Sequence, residues 1–224
     1  MNVIATIRTD FEDKFGIPRQ SGIVEGVEGK IIFTPKYRTP EALRGIEQFS
    51  HLWLLWQFSE AVREEFSPTV RPPRLGGNQR IGVFATRSPF RPNSIGLSCV
   101  KLKKVGWEDK DGPVLYVTGV DLLDKTPIYD IKPYIPFADC HPEATEGYTA
   151  ETKKHRLAVE FPEELLFKFP EEKRETVKEL LAQDPRPSYI IDKERTYGMS
   201  YAGFDVRFRV EEDRLTVYEV LEKK

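Results

Sequence analysis

Short apolar stretches separated by turn-forming residues, at roughly ten-residue intervals, run through the first part of the chain and predict strands rather than helices. Val3 to Ile7 is apolar and β-branched, as a first strand requires. Asp10 to Gly16 is a polar connection into Ile17-Pro18, where the proline holds Ile17 extended. Gly22 to Val27 and Lys30 to Thr34 bracket Glu28-Gly29 and predict a hairpin. Thr39-Pro40-Glu41 supplies a cap, a proline at the first helical position and an acid in the first turn, which predicts a short helix through Glu47.

His51 to Phe58 (HLWLLWQF) is nearly all apolar, the pattern of a strand buried on both faces or closing a barrel. Its aromatics Trp53, Trp56 and Phe58 read as core, and His51 as structural. Ile81 to Thr86, Ile95 to Val105, Pro113 to Leu122 and Ile128 to Ile131 continue the series, which is that of an all-β sandwich or barrel.

After Ile135-Pro136 the pattern changes. Ala138 to Arg156 has no periodic apolar face and reads as a linker. Glu163 to Phe169 and Glu171 to Gln183 read as helices, the second presenting Val177, Leu180 and Leu181 on one face until Asp184-Pro185-Arg186-Pro187 ends it. Phe204 to Val210 and Leu215 to Leu221 both alternate, and the turn Glu211 to Arg214 makes them a hairpin. The expectation is a mainly β chain: a β-rich domain over residues 1–141, then a linker and small α+β domain over 142–224.

Charge changes this picture. With 36 acids in 224 residues, any stretch as long as Phe66 to Trp107 should hold several, yet it holds none. It carries eight bases instead: Arg71, Arg74, Arg80, Arg87, Arg91, Lys101, Lys103 and Lys104. The net charge is −2, so one surface attracts polyanions while the rest repels them. Five prolines and five glycines in the same window stiffen its loops, and Arg87 and Arg91 flank Ser88-Pro89-Phe90 as paired guanidiniums suited to phosphate or carboxylate.

Several chemistries are excluded or unsupported. Gly77 to Gly82 has P-loop glycine spacing, but Val83-Phe84 follows where Lys and Ser/Thr are required. No GxGxxG follows a strand, so a dinucleotide fold is unsupported. Cys99 and Cys140 form no CxxC pair, and His51, His141 and His155 have no ligand spacing, so no metal is expected. The N-terminus MNVIATIRTDFEDK has no apolar signal segment and no apolar run is long enough to span a bilayer; the chain is expected in the cytoplasm, off the membrane. In Leu122 to Tyr134, LLDKTPIYDIKPY, the polar residues read either as turn formers or as ribose, cation or proton acceptors.

The strings FSHLWLL, TVRPPRLGGNQRIGVFATRSPFRPNSIGLS and LLDKTPIYDIKPYIPF, with LLAQDPRPSY and FDVRF further on, closely resemble the TsaA-like family. That resemblance spans the whole chain. It implies a single-sheet β-barrel in the N-terminal domain that binds S-adenosylmethionine, a homodimer with the cofactor near the subunit interface, and methylation of N6 of N6-threonylcarbamoyladenosine next to the anticodon of tRNA. By motif, the implied cofactor contacts are Pro18, Arg19 and Gln20, Ser59 and Glu60, Arg87 and Leu97, and Leu123, Asp124, Lys125 and Thr126. Arg74, Arg80 and Arg91 are implied to meet tRNA phosphates or the threonyl carboxylate; Asp121, Asp124, Asp130 and Tyr134 are unranked candidates for base or orienter. Two positions depart from the family pattern: Lys125 replaces the glycine of Asp-Gly-Thr-Pro, and Ser59-Glu60 replaces His-Gln. If that glycine needs positive φ, Lys125 adopts a costly backbone. The competing readings are a non-catalytic tRNA-binding module using the basic face of residues 66–107, and a hydrolase or binder of small phosphorylated metabolites.

Overall fold

The computed structural model describes residues 1–62, 65–72, 75, 79–152, 156–186 and 195–223, with side chains 151 and 152 excepted. Its strands are β1 (Ala5–Thr9), β2 (Glu28–Phe33), β3 (His51–Gln57), β4 (Thr69–Val70), β5 (Ile81–Gly82), β6 (Ile95–Glu108), β7 (Gly112–Thr118), β8 (Pro127–Pro133), β9 (Ala158–Glu160), β10 (Tyr197–Tyr201), β11 (Phe204–Glu211) and β12 (Arg214–Glu222). Its α-helices are α1 (Pro136–Asp139), α2 (Thr149–Thr152), α3 (Glu163–Leu166) and α4 (Glu171–Ala182).

Six strands pair in the order β1-β2-β7-β6-β3-β8, and β8 pairs back onto β1 through Ala5 opposite Ile128 and Thr6 opposite Pro127. Every neighbour is antiparallel. Closing a small ring of strands turns alternate side chains inward, where they must fill the interior. β3 shows the rule: Leu52, Leu54 and Trp56 are buried while His51, Trp53, Leu55 and Gln57 are half-exposed. Ile7, Ile31, Val100, Leu115 and Ile128 are among the other buried residues of the ring. Of the two readings of this apolar run, a strand buried on both faces or one closing a barrel, the alternating burial fits the second, since only one face is fully covered.

The short helix expected through Glu47 is two 3-10 turns, Pro40–Leu43 and Ile46–Gln48, divided by Gly45 at φ 87°. Left-handed backbone there stops a helix from propagating. Residues 22–27 are turns rather than a strand, and Glu28-Gly29 begins β2 instead of forming a hairpin tip. Ile81 to Thr86 yields only β5 and a 3-10 turn at Val83–Ala85.

The C-terminal part holds a sheet in the order β10-β11-β12-β9, with only β9 parallel to its neighbour. As the periodicity requires, Val177, Leu180 and Leu181 of α4 are buried. This sheet shares one continuous apolar cluster with the ring. Phe11, just after β1, lies 5.4 Å from Tyr201 between ring centroids, and Phe15 stacks 6.4 Å from both Tyr197 and Phe208. Beside that seam Lys173 of α4 meets Asp10 at 2.7 Å and Glu28 at 3.5 Å. Burial opposes the ammonium charge, yet the two carboxylates hold its pKa above the usual lysine value.

Candidate functional site

Antiparallel pairing around the ring dictates where the connections emerge. The links β1–β2 (10–27), β3–β6 (58–94) and β7–β8 (119–126) leave the same end, here called the mouth. All the expected cofactor residues belong to these links, except Leu97, which is the third residue of β6 and so sits beside them. Three segments far apart in sequence therefore converge.

Their contacts are specific. Ser21 Oγ accepts a 3.0 Å bond from the Cys99 amide, and the Gly22 amide donates to the Gly119 carbonyl at 2.8 Å, so the 18–22 loop is fastened across β6 and the turn after β7. Gln20 Oε1 accepts from the Arg87 guanidinium, which joins that loop to the basic one. Leu97 stands outward with 52% of its surface exposed. Pro18 is buried, and Arg19 extends the other way, donating to the carbonyls of Asp184 and Arg186 at 3.4 and 3.3 Å.

Beneath Arg87 runs a polar relay that the sequence reading did not identify. Trp56 Nε1 donates to Ser98 Oγ at 2.9 Å, and Ser98 Oγ donates to Asp121 Oδ1 at 2.5 Å. An indole N–H can only donate, so the serine oxygen accepts from it and the single hydroxyl proton is directed at the carboxylate. Gly96 makes this possible, because a Cβ there would overlap the Trp56 indole. Burial pushes the Asp121 carboxyl up to about 6, against the opposing pull of the Ser98 hydroxyl, its own and the Ser21 amides, and the Arg87 charge. A polar residue at an inward position of an alternating strand was the available signal for Ser98, which is fully buried.

The other candidates occupy different settings. Asp124 has its oxygens engaged, accepting from the Thr9 amide at 3.1 Å and facing Arg8 at 3.6 Å. Asp130 pairs with Lys132 at 2.9 Å on the outer face, opposite Leu55. Tyr134 lies past the far end of β8, against His51 and Trp53; counting strand rise from Pro127, that is about 20 Å from the mouth. Desolvation and the Cys140 thiol raise its phenol pKa further, which weakens it as an acceptor at neutral pH. Glu60 is held by Lys14 at 3.1 Å, and Ser59 is exposed.

Among the arginines, Arg91 donates to the Thr86 and Ser88 carbonyls at 2.9 and 3.4 Å, so it braces the loop from within. Arg80 is exposed and donates to Thr69 Oγ1 at 2.8 Å. Arg74 lies outside the described residues.

Lys125 does occupy left-handed backbone, with φ 63°. Its amide still donates to the Ile7 carbonyl at 2.8 Å, and Thr126 Oγ1 caps the Leu123 carbonyl at 2.7 Å, so the tight turn survives at a conformational cost. Lys125→Gly should stabilise the protein by about 0.5–1 kcal/mol, the relief of left-handed strain less the added freedom of the unfolded chain. Urea denaturation measures this; a less stable variant would show that the lysine side chain contributes more than its backbone costs.

The exposed apolar Leu97 and the Gln20–Arg87 pair fit S-adenosylmethionine, offering apolar surface for its adenine and a guanidinium for its carboxylate. Among the described residues no cluster of potential metal ligands occurs, and no helix is long and apolar enough to cross a membrane.

Comparison with known proteins agrees over the full length. The family model of the tRNA-methyltransferase O N-terminal domain matches residues 6–140, and that of the C-terminal domain matches 154–223. The tRNA (adenine(37)-N6)-methyltransferase of Escherichia coli is 43% identical, covering 96% of this chain and 94% of its own. A putative S-adenosylmethionine-dependent methyltransferase of Pseudomonas aeruginosa is 41% identical over 92% of this chain and 90% of its own. The crystal structure of TrmO from Pseudomonas aeruginosa superposes with a TM-score of 0.79 at 36% identity, covering 99% of this chain and 97% of that one.

Proposed function

This chain belongs to the tRNA-methyltransferase O family, and on that premise we propose that it uses S-adenosylmethionine to methylate N6 of N6-threonylcarbamoyladenosine next to the anticodon in tRNA. The observation that carries the reading is the half-buried Asp121 carboxylate, fixed by Ser98 and set beside Gln20 and Arg87 at the mouth. Bound S-adenosylmethionine supplies an electrophilic methyl on sulfur. The accepting nitrogen belongs to a urea and is a weak nucleophile, so its proton must leave as the new N–C bond forms.

Asp121 is the group best suited to accept that proton. Its pKa near 6 leaves it mostly ionised at neutral pH yet far more basic than an ordinary aspartate. The Ser98 hydroxyl holds one carboxylate oxygen, so the base is oriented before substrate arrives. Asp124, committed to Arg8 and Thr9, serves the turn, while Asp130 and Tyr134 lie away from the mouth.

In this reading Pro18, Gln20, Arg87, Leu97 and the 123–126 turn surround the cofactor, and Arg80 is offered to a tRNA phosphate. Arg91 shapes the loop, and Arg19 ties it to the C-terminal part. Residues 1–141 are the cofactor-binding unit, a single-sheet barrel, and 142–224 an appended α+β unit; the active form is a homodimer working in the cytoplasm. Mass spectrometry of nucleosides from threonylcarbamoylated tRNA, incubated with the protein and S-adenosylmethionine, tests the reaction. One added methyl on threonylcarbamoyladenosine is expected. Unmodified nucleosides from a folded protein that binds tRNA would favour a non-catalytic module.

A further inference from the structure

At the end of the ring opposite the mouth, an exposed aromatic stands beside a basic groove. The β6–β7 hairpin carries Trp107 near its tip, paired with Pro113, and 67% of that side chain's surface is exposed. Between this hairpin and the 3-10 turns of residues 40–48 lies a groove of about 780 Å³. Leu43, Phe49 and Val105 form apolar walls, while Arg44, Lys103 and Lys104 face a single acid, Glu47.

Sequence explains how the cations arrive there. The β6–β7 register shifts between Leu102 and Lys104, and the inserted residue leaves both Lys103 and Lys104 exposed instead of turning one inward. Lys103 is matched by Glu28 at 2.5 Å, and Lys104 lies 4.7 Å from the Tyr116 ring centroid. The exposed Arg44 side chain has no ion pair or hydrogen bond among the described residues. Along β6, Leu97, Lys101, Lys103, Lys104 and Trp107 are all exposed. From Leu97 to Trp107 the strand spans about 33 Å, comparable to one turn of a nucleic-acid duplex.

We propose that this groove binds a nucleotide of the tRNA remote from the reacting adenosine, its base stacked on Trp107 and its phosphate held by Arg44 and Lys104. The inference rests on the tRNA reading above. Interfaces between proteins lose charge at their centres, whereas an exposed indole beside a groove lined by three cations and one acid suits a polyanion whose bases can stack, even though Glu108 and Asp109 follow Trp107 at the hairpin tip. A substrate engaged at both ends of β6 is also held in one orientation, with the loop bearing the adenosine at the mouth.

The test is fluorescence anisotropy of labelled tRNA titrated with the full chain, at several salt concentrations, for the wild type, Trp107→Ala, Trp107→Phe and Arg44→Gln. Calorimetry with S-adenosylmethionine and size-exclusion chromatography accompany it. Trp107→Ala should weaken tRNA binding about tenfold and Trp107→Phe much less, because a smaller ring still stacks. Arg44→Gln should lower the slope of log affinity against log salt by about one. None should alter cofactor affinity. Wild-type affinity and salt slope in both Trp107→Ala and Arg44→Gln would overturn the proposal, as would a changed oligomeric state in Trp107→Ala, which would make the groove a contact between copies. A wild type that binds no tRNA would instead sink the functional reading, and the groove with it.

Discussion

Replacing Asp121 by asparagine should abolish most of the methyl transfer while making the protein more stable, two effects of opposite sign from one atom. Loss of a general base typically costs 10²–10⁴-fold in rate, and asparagine keeps the shape of the carboxylate without its basicity. The stability effect follows from the direction of the pKa change. Burial raises the Asp121 pKa from 3.8 to about 6, so the fold favours the protonated form. The stability this group contributes is complete below 3.8 and is lost as pH rises through about 6. At pH 7 the wild type therefore bears a buried charge that asparagine removes, a gain of roughly 1–3 kcal/mol. Activity of the wild type should fall as pH drops through 6, and the residual activity of the variant should lose that acidic limb. Urea melts and a pH–rate profile decide the matter: a variant that is both inactive and less stable would make Asp121 a structural anchor for Ser98 and the 18–22 loop.

Phe11→Ala should cost about 3–5 kcal/mol, the usual loss for emptying a buried aromatic site. Phe11 is fully buried, and Tyr201 of β10 is its neighbour at 5.4 Å, so its removal opens the seam between ring and C-terminal sheet. Because both parts share one apolar cluster, the wild type should unfold in a single transition. The three tryptophans, Trp53, Trp56 and Trp107, all report on the ring, so their fluorescence can be set against amide exchange in β10 to β12. Coincident loss of both signals, shifted together by Phe11→Ala, is expected. C-terminal strands that exchange well before the tryptophan signal changes, whether or not Phe11 is present, would refute a common core.

What could be read from sequence was what local chemistry alone determines. The alternation of Phe204 to Val210 and Leu215 to Leu221 gives the hairpin of β11 and β12, because nothing outside those residues competes with their pattern. HLWLLWQF gave a strand in the right place, but its uniform apolarity concealed which face turns inward, since that depends on ring closure by β8. Residues 22–27 misled because Gly29 belongs to β2 and is buried against Ile7 and Val120; the glycine reflects close packing rather than a turn. Gln20, Arg87 and Leu97, expected at the cofactor from family resemblance alone, lie at one end of the ring because antiparallel order brings their segments there. The relay from Trp56 through Ser98 to Asp121 was hidden, because it joins three strands or strand ends whose adjacency exists only in the folded ring. Arg91, prominent as a displayed guanidinium in the sequence, instead satisfies carbonyls of its own loop, a partner choice that no spacing rule reveals.

The pairing of β8 with β1 also governs how copies of this chain can meet. An open sheet presents unpaired amides and carbonyls that a neighbouring molecule can extend by adding a strand. In the ring each strand has a hydrogen-bonded neighbour on both sides, so no whole strand is left as an edge for a second copy to extend. In the C-terminal sheet, by contrast, β10 and β9 end the strand order. Strand-to-strand association of the native protein, should concentration provoke it, would therefore begin there rather than at the ring.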